Sequence, residues 1–254
     1  MRKELRKITE AMNHVLKQSE SNISGEISTF DGSVAVVCTL ICLICIDRID
    51  SFAYAYAAGT IFYVLIILLA LRCFNGLSSY LASPFKHNNI PIFIGKRLDV
   101  VFSYPVFLLA IINILNRIMV MAGSIPDKLQ YAAETAYTPG FIIMRLAMLP
   151  IVALSEELLN LIIVSSVYNT LKPLRQLRLP LSILIASALF GLLHSFAWGG
   201  QAALNLAVSF VPVFVVTLFT GSIWISTLAH LYNDIAATAG LMGEVYSLGI
   251  YSLI

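Results

Sequence analysis

Four ionisable side chains stand in segments of the sequence that are otherwise strongly apolar. Glu156 and Glu157 are adjacent in the run ALSEELLNLII. His194 follows in ALFGLLHSF, and His230 lies in WISTLAHLYND. A charged side chain at the centre of a bilayer costs roughly 2.5–3.5 kcal/mol on insertion scales, so such groups persist mainly where they pair or function. These four residues are therefore the first candidates for chemistry.

Carboxylates and imidazoles together suit the hydrolysis of a peptide bond. A Glu can act as a general base on water, and a His can share that role or bind the developing oxyanion. Alternatively, His194, His230 and Glu156 would supply the three-ligand open site typical of catalytic zinc. The sequence contains no H-E-x-x-H motif, which excludes the usual zincin helix. The Glu/His scheme and the zinc scheme both stay open.

The spacing of the acidic residues predicts how they divide the work. Adjacent residues on a helix point about 100° apart, so Glu156 and Glu157 cannot serve one atom in the same way. We expect one to face the reaction centre and the other to hold a neighbouring helix. Asp234 lies four residues after His230 and therefore on the same helix face, where it can orient the imidazole or share a metal. The alternative for each residue is a structural hydrogen bond between helices.

The order and spacing of these residues resemble the CPBP family, also called ABI, which contains CAAX proteases and bacteriocin-processing or immunity proteins. The family's pattern is E-E-x-x-x-R, then F-x-x-x-H, then H-x-x-x-N/D. Here the three elements are Glu156-Glu157, Phe190 to His194, and His230 to Asp234, with TGSIW at 220–224 before the last. The resemblance covers about residues 140–242.

The resemblance implies an intramembrane endopeptidase that processes a peptide or small membrane protein, such as a signalling peptide or bacteriocin. By the same resemblance, Glu156 and His194 would activate water. The residues Glu157, His230 and Asp234 would complete the site by supporting the oxyanion or a metal, with zinc as the possible cofactor.

One position departs from the family pattern, because Leu161 stands where the family usually has Arg. This keeps a second hypothesis open, in which the protein is a catalytically inactive membrane scaffold or regulator that binds another membrane protein. A third hypothesis is a transporter for protons or metal ions, since Glu and His also build ion pathways. The sequence shows no evident inverted repeat, which argues against that third hypothesis.

The composition indicates which elements must position these side chains. The chain has 254 residues, of which 59% are hydrophobic and only 12% charged, and its mean hydropathy is +0.86. Soluble domains carry about 25% charged residues, so the lipid bilayer is the expected surroundings. The net charge of +2 gives no indication of a nucleic-acid partner. We therefore expect the partners to be the bilayer, a peptide or membrane-protein substrate and, in the scaffold hypothesis, another membrane protein.

Seven apolar spans predict an all-α, polytopic transmembrane bundle. They cover about 33–46, 51–73, 100–121, 140–170, 179–197, 202–219 and 222–242. The tail 243–254 would give an eighth helix only if the seventh ended early. Residues 1–32 are interpreted as a cytoplasmic amphipathic segment and linker, and 33–254 as the transmembrane domain.

Positive charge predicts the orientation. Placing the N-terminus in the cytoplasm puts most of the 16 Lys and Arg residues in cytoplasmic segments. We therefore expect a multi-pass protein of the cell membrane with a cytoplasmic N-terminus.

Overall fold

The computed structural model describes residues 27, 29–47, 52–73, 98–122, 139–198 and 200–251, which form seven α-helices and, within these ranges, no strand. The helices are α1 (Thr29–Asp47), α2 (Phe52–Cys73), α3 (Tyr104–Met121), α4 (Pro139–Thr170), α5 (Arg178–Trp198), α6 (Gly200–Thr220) and α7 (Trp224–Tyr251). A π-helical turn (Asp99–Ser103) leads into α3, and a 3-10 helix (Lys172–Leu177) joins α4 to α5.

The predicted all-α bundle is confirmed, and each of the seven predicted spans coincides with one helix. Helix α7 continues to Tyr251, so residues 243–251 extend the seventh helix and do not form an eighth. The predicted N-terminal amphipathic segment falls almost entirely outside the described residues. Helix α1 begins at Thr29, inside the segment that was predicted to be a linker.

The outer surface of the bundle is apolar, as a lipid-facing surface must be. Among the described residues, four stretches are long and apolar enough to cross a membrane: Asp99–Met119, Ile143–Thr170, Arg178–Ser195 and Ala203–Thr220. Shorter apolar stretches, Gly32–Cys42 and Ala58–Leu71, lie in α1 and α2. Large apolar side chains project outward from several helices, among them Leu65, Phe107, Ile114, Leu184 and Leu192. The protein is therefore a helical-bundle membrane protein.

Helix α4 is the central helix of the bundle. Every residue from Glu157 to Ser166 is buried, so this part of the helix is covered on all sides. The covering helices are α1, α2, α5 and α7. Because the glutamate pair lies at the start of the fully covered stretch, side chains from several helices can reach it.

Helices α5 and α6 approach each other closely at Gly191. A Cβ atom at this position would overlap the backbone oxygen of Ala203 and lie 3.0 Å from the nitrogen of Ala207. Only a glycine permits this approach, since ordinary contacts between non-bonded atoms need about 3.5–4.0 Å. The close packing fixes the position of α5 three residues before His194.

A compact turn sets the position of α7. Gly221 has a positive φ of 62°, a conformation in which glycine has no steric penalty, and it ends α6. The Ser222 hydroxyl then accepts a hydrogen bond from the backbone N–H of Trp224 at 3.3 Å and caps the start of α7. Below the turn, the buried Thr217 hydroxyl donates to Ser226 Oγ at 2.9 Å. This turn is the TGSIW segment of the sequence, and it places His230 less than two helical turns into α7.

Candidate active site

Glu156 is the centre of the polar cluster inside the bundle. Its Oε2 atom lies 3.7 Å from His194 Nε2 and 3.5 Å from His230 Nε2. The glutamate side chain is only 12% exposed. Both distances exceed an ordinary hydrogen bond. One carboxylate oxygen therefore faces two imidazole nitrogens from two different helices.

Glu157 has a different environment from its neighbour. Its side chain is 1% exposed, and its Oε1 atom lies 3.2 Å from His230 Nδ1. With Glu157 ionised, its oxygens can only accept, and Nδ1 of His230 is the donor in this contact. Glu157 thus orients the imidazole of α7, while Glu156 faces both imidazoles. This arrangement has the geometry expected from two adjacent residues about 100° apart on one helix.

The ring of His194 is oriented by its own helix. Its Nδ1 atom lies 2.9 Å from the backbone oxygen of Phe190, which can only accept, so Nδ1 carries the proton. The other nitrogen, Nε2, is then directed at Glu156. The Phe190 ring packs on His194 with a centroid distance of 4.3 Å and on Phe210 at 4.0 Å. Phe210 in turn meets His230 edge-on at 5.9 Å, so an aromatic wall backs both imidazoles.

Asp234 stands at the more exposed edge of the cluster. Its Oδ2 atom lies 3.6 Å from His230 Nε2, and its side chain is 24% exposed. The five side chains predicted from the sequence therefore lie in one connected cluster. Their catalytic roles stay predictions.

Tyr63 is a site residue that the sequence did not predict. Its hydroxyl, on α2, donates a hydrogen bond of 3.1 Å to Glu156 Oε1. Nothing in the spacing of span 51–73 distinguishes this tyrosine from Tyr54 and Tyr56 in the same run. The contact depends on how α2 packs against α4, which the pattern of a single helix does not encode.

Position 161, where the family pattern has arginine, holds a leucine whose surroundings are also apolar. Leu161 is 1% exposed and belongs to the hydrophobic core of the bundle. One residue earlier, Asn160 is also buried, and its side-chain amide has no hydrogen-bond partner among the described residues. The donors that reach the glutamate pair are therefore the Tyr63 phenol and the imidazoles, as far as the described residues show.

Within the described ranges, no group of three or more His, Cys, Asp or Glu side chains is arranged so that it could hold a metal ion. The donor atoms around Glu156 face one another directly, and each Nδ1 atom is occupied by a protein acceptor. That His194, His230 and Glu156 bind zinc stays a prediction. No chemical step below uses a metal.

Comparison with protein-family models places a match on the part of the chain that holds this cluster. Residues 138–236 match the family described as type II CAAX prenyl endopeptidase Rce1-like. This segment is similar to the Rce1-like family. The match confirms the resemblance predicted for residues 140–242, and at the level of the family it supports a CAAX-type intramembrane protease.

The Rce1-like segment contains α4 to α6 and the first part of α7, and it includes all five predicted site residues. Tyr63 lies outside it. Comparisons with curated proteins and with solved structures gave no match to this chain.

Proposed function

We propose that the protein is an intramembrane endopeptidase that hydrolyses a peptide bond with a water activated by Glu156 and His194. The observation that carries the proposal is the convergence of both imidazole Nε2 atoms on Glu156 Oε2, at 3.7 Å and 3.5 Å. The Rce1-like match supports the same reaction class.

The proposed reaction begins with a water that lies beside Glu156 Oε2 and His194 Nε2 and contacts both atoms. Glu156 takes a proton from this water as the new bond forms between the water oxygen and the carbonyl carbon of the peptide. The electron pair of the carbonyl moves to its oxygen, and His230 in its protonated form donates from Nε2 to that oxyanion. As the C–N bond breaks, the proton held by Glu156 passes to the leaving amine.

The remaining residues serve the two imidazoles in this scheme. Glu157 accepts from Nδ1 of His230, which fixes the ring so that Nε2 faces the reaction. The Phe190 carbonyl does the same for His194. Asp234, at the exposed edge, adds negative charge beside His230 Nε2.

The substrate class is a peptide or small membrane protein whose cleavage site enters the bundle. The family description names CAAX prenyl endopeptidases, so the first substrate to test is a C-terminal CAAX peptide. An unprenylated membrane-inserted peptide, of the signalling or bacteriocin type, is the second substrate to test.

The test is cleavage of internally quenched peptides by the purified protein in lipid nanodiscs. A farnesylated CAAX peptide and its unprenylated counterpart are compared, with products identified by mass spectrometry. We expect Glu156→Gln and His194→Ala to abolish cleavage while the proteins stay folded. Ser195→Ala is the matched control, since its hydroxyl bonds the Leu192 carbonyl and does not reach the cluster. Full activity of Glu156→Gln would overturn the catalytic assignment.

Leu161 supports a second candidate, an inactive scaffold or regulator that binds another membrane protein. A buried leucine in place of arginine leaves the glutamate pair without a guanidinium partner on α4. In this case, the double substitution Glu156→Gln/Glu157→Gln leaves the cellular phenotype unchanged, and a membrane-protein partner co-purifies with both forms.

Metal analysis of the purified protein tests the zinc alternative directly. Stoichiometric zinc in the wild type that is lost in both His194→Ala and His230→Ala would assign a metal site to these residues. A metal content that is the same in wild type and both variants would contradict it.

A further inference from the structure

The two oxygens of the Glu156 carboxylate have different partners. Oε2 faces the imidazoles of His194 and His230, as described above. Oε1 accepts the hydrogen bond from the Tyr63 hydroxyl on α2 at 3.1 Å. The phenol comes from a helix that lies outside the Rce1-like segment, in a part of the chain to which neither the sequence pattern nor the family match assigns a role.

We propose that Tyr63 is a positioning residue for Glu156, and that α2 thereby forms part of the active site. The kinetic consequence rests on the proposed function, since it requires Glu156 to be the general base. The contact itself does not depend on that function.

The sequence of α2 presents the phenol to α4. Phe62, Ile66 and Ala70 recur at intervals of four residues, and all three are buried, so they form the face that packs into the bundle. Tyr63 is the next residue after Phe62 and lies at the margin of this face, where it is half-buried. The ring centroids of Phe62 and Tyr63 lie 5.7 Å apart. The apolar face therefore anchors the helix, and the polar tip of Tyr63 projects from its edge to Glu156.

The hydrogen bond has two effects on a general base. It restrains the rotation of the carboxylate about its terminal torsion, which is otherwise broad and nearly two-fold. It also occupies Oε1, so Oε2 is the oxygen left to take the proton from water. A carboxylate free to rotate would exchange these two oxygens and spend part of its time misaligned with His194 and His230.

Helix α2 is a peripheral helix as well as a packing partner of α4. Its outward side chains, among them Ile61, Leu65 and Leu68, are exposed to the surroundings of the bundle. Its main packing partners are α4 and α1, whereas the imidazoles lie on α5 and α7, so a displacement of α2 would act first on the contact with Glu156. This makes Tyr63 a residue whose loss affects the base specifically.

The kinetic test compares Tyr63→Phe with the wild type on a peptide that the wild type cleaves in nanodiscs. The substitution keeps the ring and its packing and removes only the hydroxyl. Loss of a hydrogen bond to a charged group corresponds to a fall in kcat of roughly 10- to 100-fold. We expect KM to stay the same, because in this proposal the Tyr63 hydroxyl acts on Glu156 and has no part in binding the peptide.

Tyr232→Phe is the matched control. The Tyr232 hydroxyl donates to the Val101 carbonyl at 2.6 Å and joins α7 to the π-helical turn. The substitution therefore also removes one hydrogen bond that a phenol makes between two elements. We expect this variant to keep the wild-type kcat even where its thermal stability falls. Equal losses of kcat in both variants would show a general packing effect and overturn the positioning role.

A second measurement tests the contact without any activity. Fluorotyrosine placed at position 63 gives a single ¹⁹F resonance, which we expect to shift in Glu156→Gln and to stay unchanged in Asp234→Asn. A resonance that ignores Glu156→Gln would overturn the proposal. If no peptide is cleaved but this resonance responds as expected, the proposed protease function fails while the Tyr63–Glu156 contact stands.

Discussion

Gly191→Ala tests whether the close approach of α5 and α6 positions the site. The added Cβ would overlap the Ala203 backbone oxygen and lie 3.0 Å and 3.1 Å from the nitrogen and Cβ of Ala207. Ordinary non-bonded contacts need about 3.5–4.0 Å, so the helices must separate locally by more than about 1 Å to relieve the overlap with the Ala203 oxygen. Because His194 is three residues further along α5, its ring moves with that helix.

The magnitude follows from two opposing effects. Overpacking a close contact costs about 1–3 kcal/mol, whereas replacing glycine by alanine inside a helix gains about 0.5–1 kcal/mol. The net expectation for Gly191→Ala therefore runs from about zero to about 2.5 kcal/mol of destabilisation. Gly59→Ala in α2 is the matched control, since a Cβ there would meet nothing within 4 Å. It keeps only the favourable effect and should be stabilising by about 0.5–1 kcal/mol.

The assay is reversible unfolding in mixed micelles, followed by circular dichroism as the fraction of denaturing detergent rises. Peptide cleavage by the same samples reports on the site, and we expect Gly191→Ala to lose activity while Gly59→Ala retains it. If the two variants had the same free energy of unfolding, the close contact at Gly191 would not limit the packing of α5, and the reasoning would be refuted.

Three further predictions concern the groups around the site. Glu157→Gln keeps an acceptor for His230 Nδ1 but removes its charge, so kcat/KM should fall by about ten-fold while the fold is retained, as measured by cleavage and thermal unfolding. Asp234→Asn should cost less than about five-fold in the same cleavage assay, because the carboxylate is partly exposed and touches one imidazole. In the α6–α7 turn, Ser226→Ala leaves the buried Thr217 hydroxyl without its acceptor and should destabilise by about 1–3 kcal/mol. Adding Thr217→Val should then cost less than the sum of the single changes, and strict additivity in micelle unfolding would contradict the pair.

The sequence predicted the positions of most helices well, because charged residues, prolines or glycines bound the apolar runs. The predicted span 140–170 corresponds to Pro139–Thr170 in the structure. Helix α7 runs nine residues beyond its predicted span, and helix α1 begins four residues before its own. Its first turn contains polar residues that read as a linker, yet Gly32 is buried where α1 packs closely on Ser166 of α4. Tertiary packing therefore includes a turn that composition alone would leave outside.

Spacing along the sequence predicted the contacts between site residues on the same helix, but not the contacts between different helices. Intervals of four residues place Phe190 beside His194 and Asp234 beside His230, and the structure has both contacts. The contact between Tyr63 and Glu156 joins residues 93 positions apart. It depends on the crossing of α2 and α4, for which no pattern in either segment gives a geometry.

The arrangement also explains how a site with leucine at position 161 can hold two neighbouring glutamates. Each carboxylate receives a donor from another helix: Glu156 from the Tyr63 phenol, and Glu157 from Nδ1 of His230. These two hydrogen bonds connect the Glu156 carboxylate to α2 and the Glu157 carboxylate to α7. With Leu161 buried in the apolar core, α4 supplies the acids, and the surrounding helices supply their hydrogen-bond donors. The geometry at Glu156 Oε2 is therefore a property of the assembled bundle, and the packing of α2 matters to it as much as the residues of the Rce1-like segment.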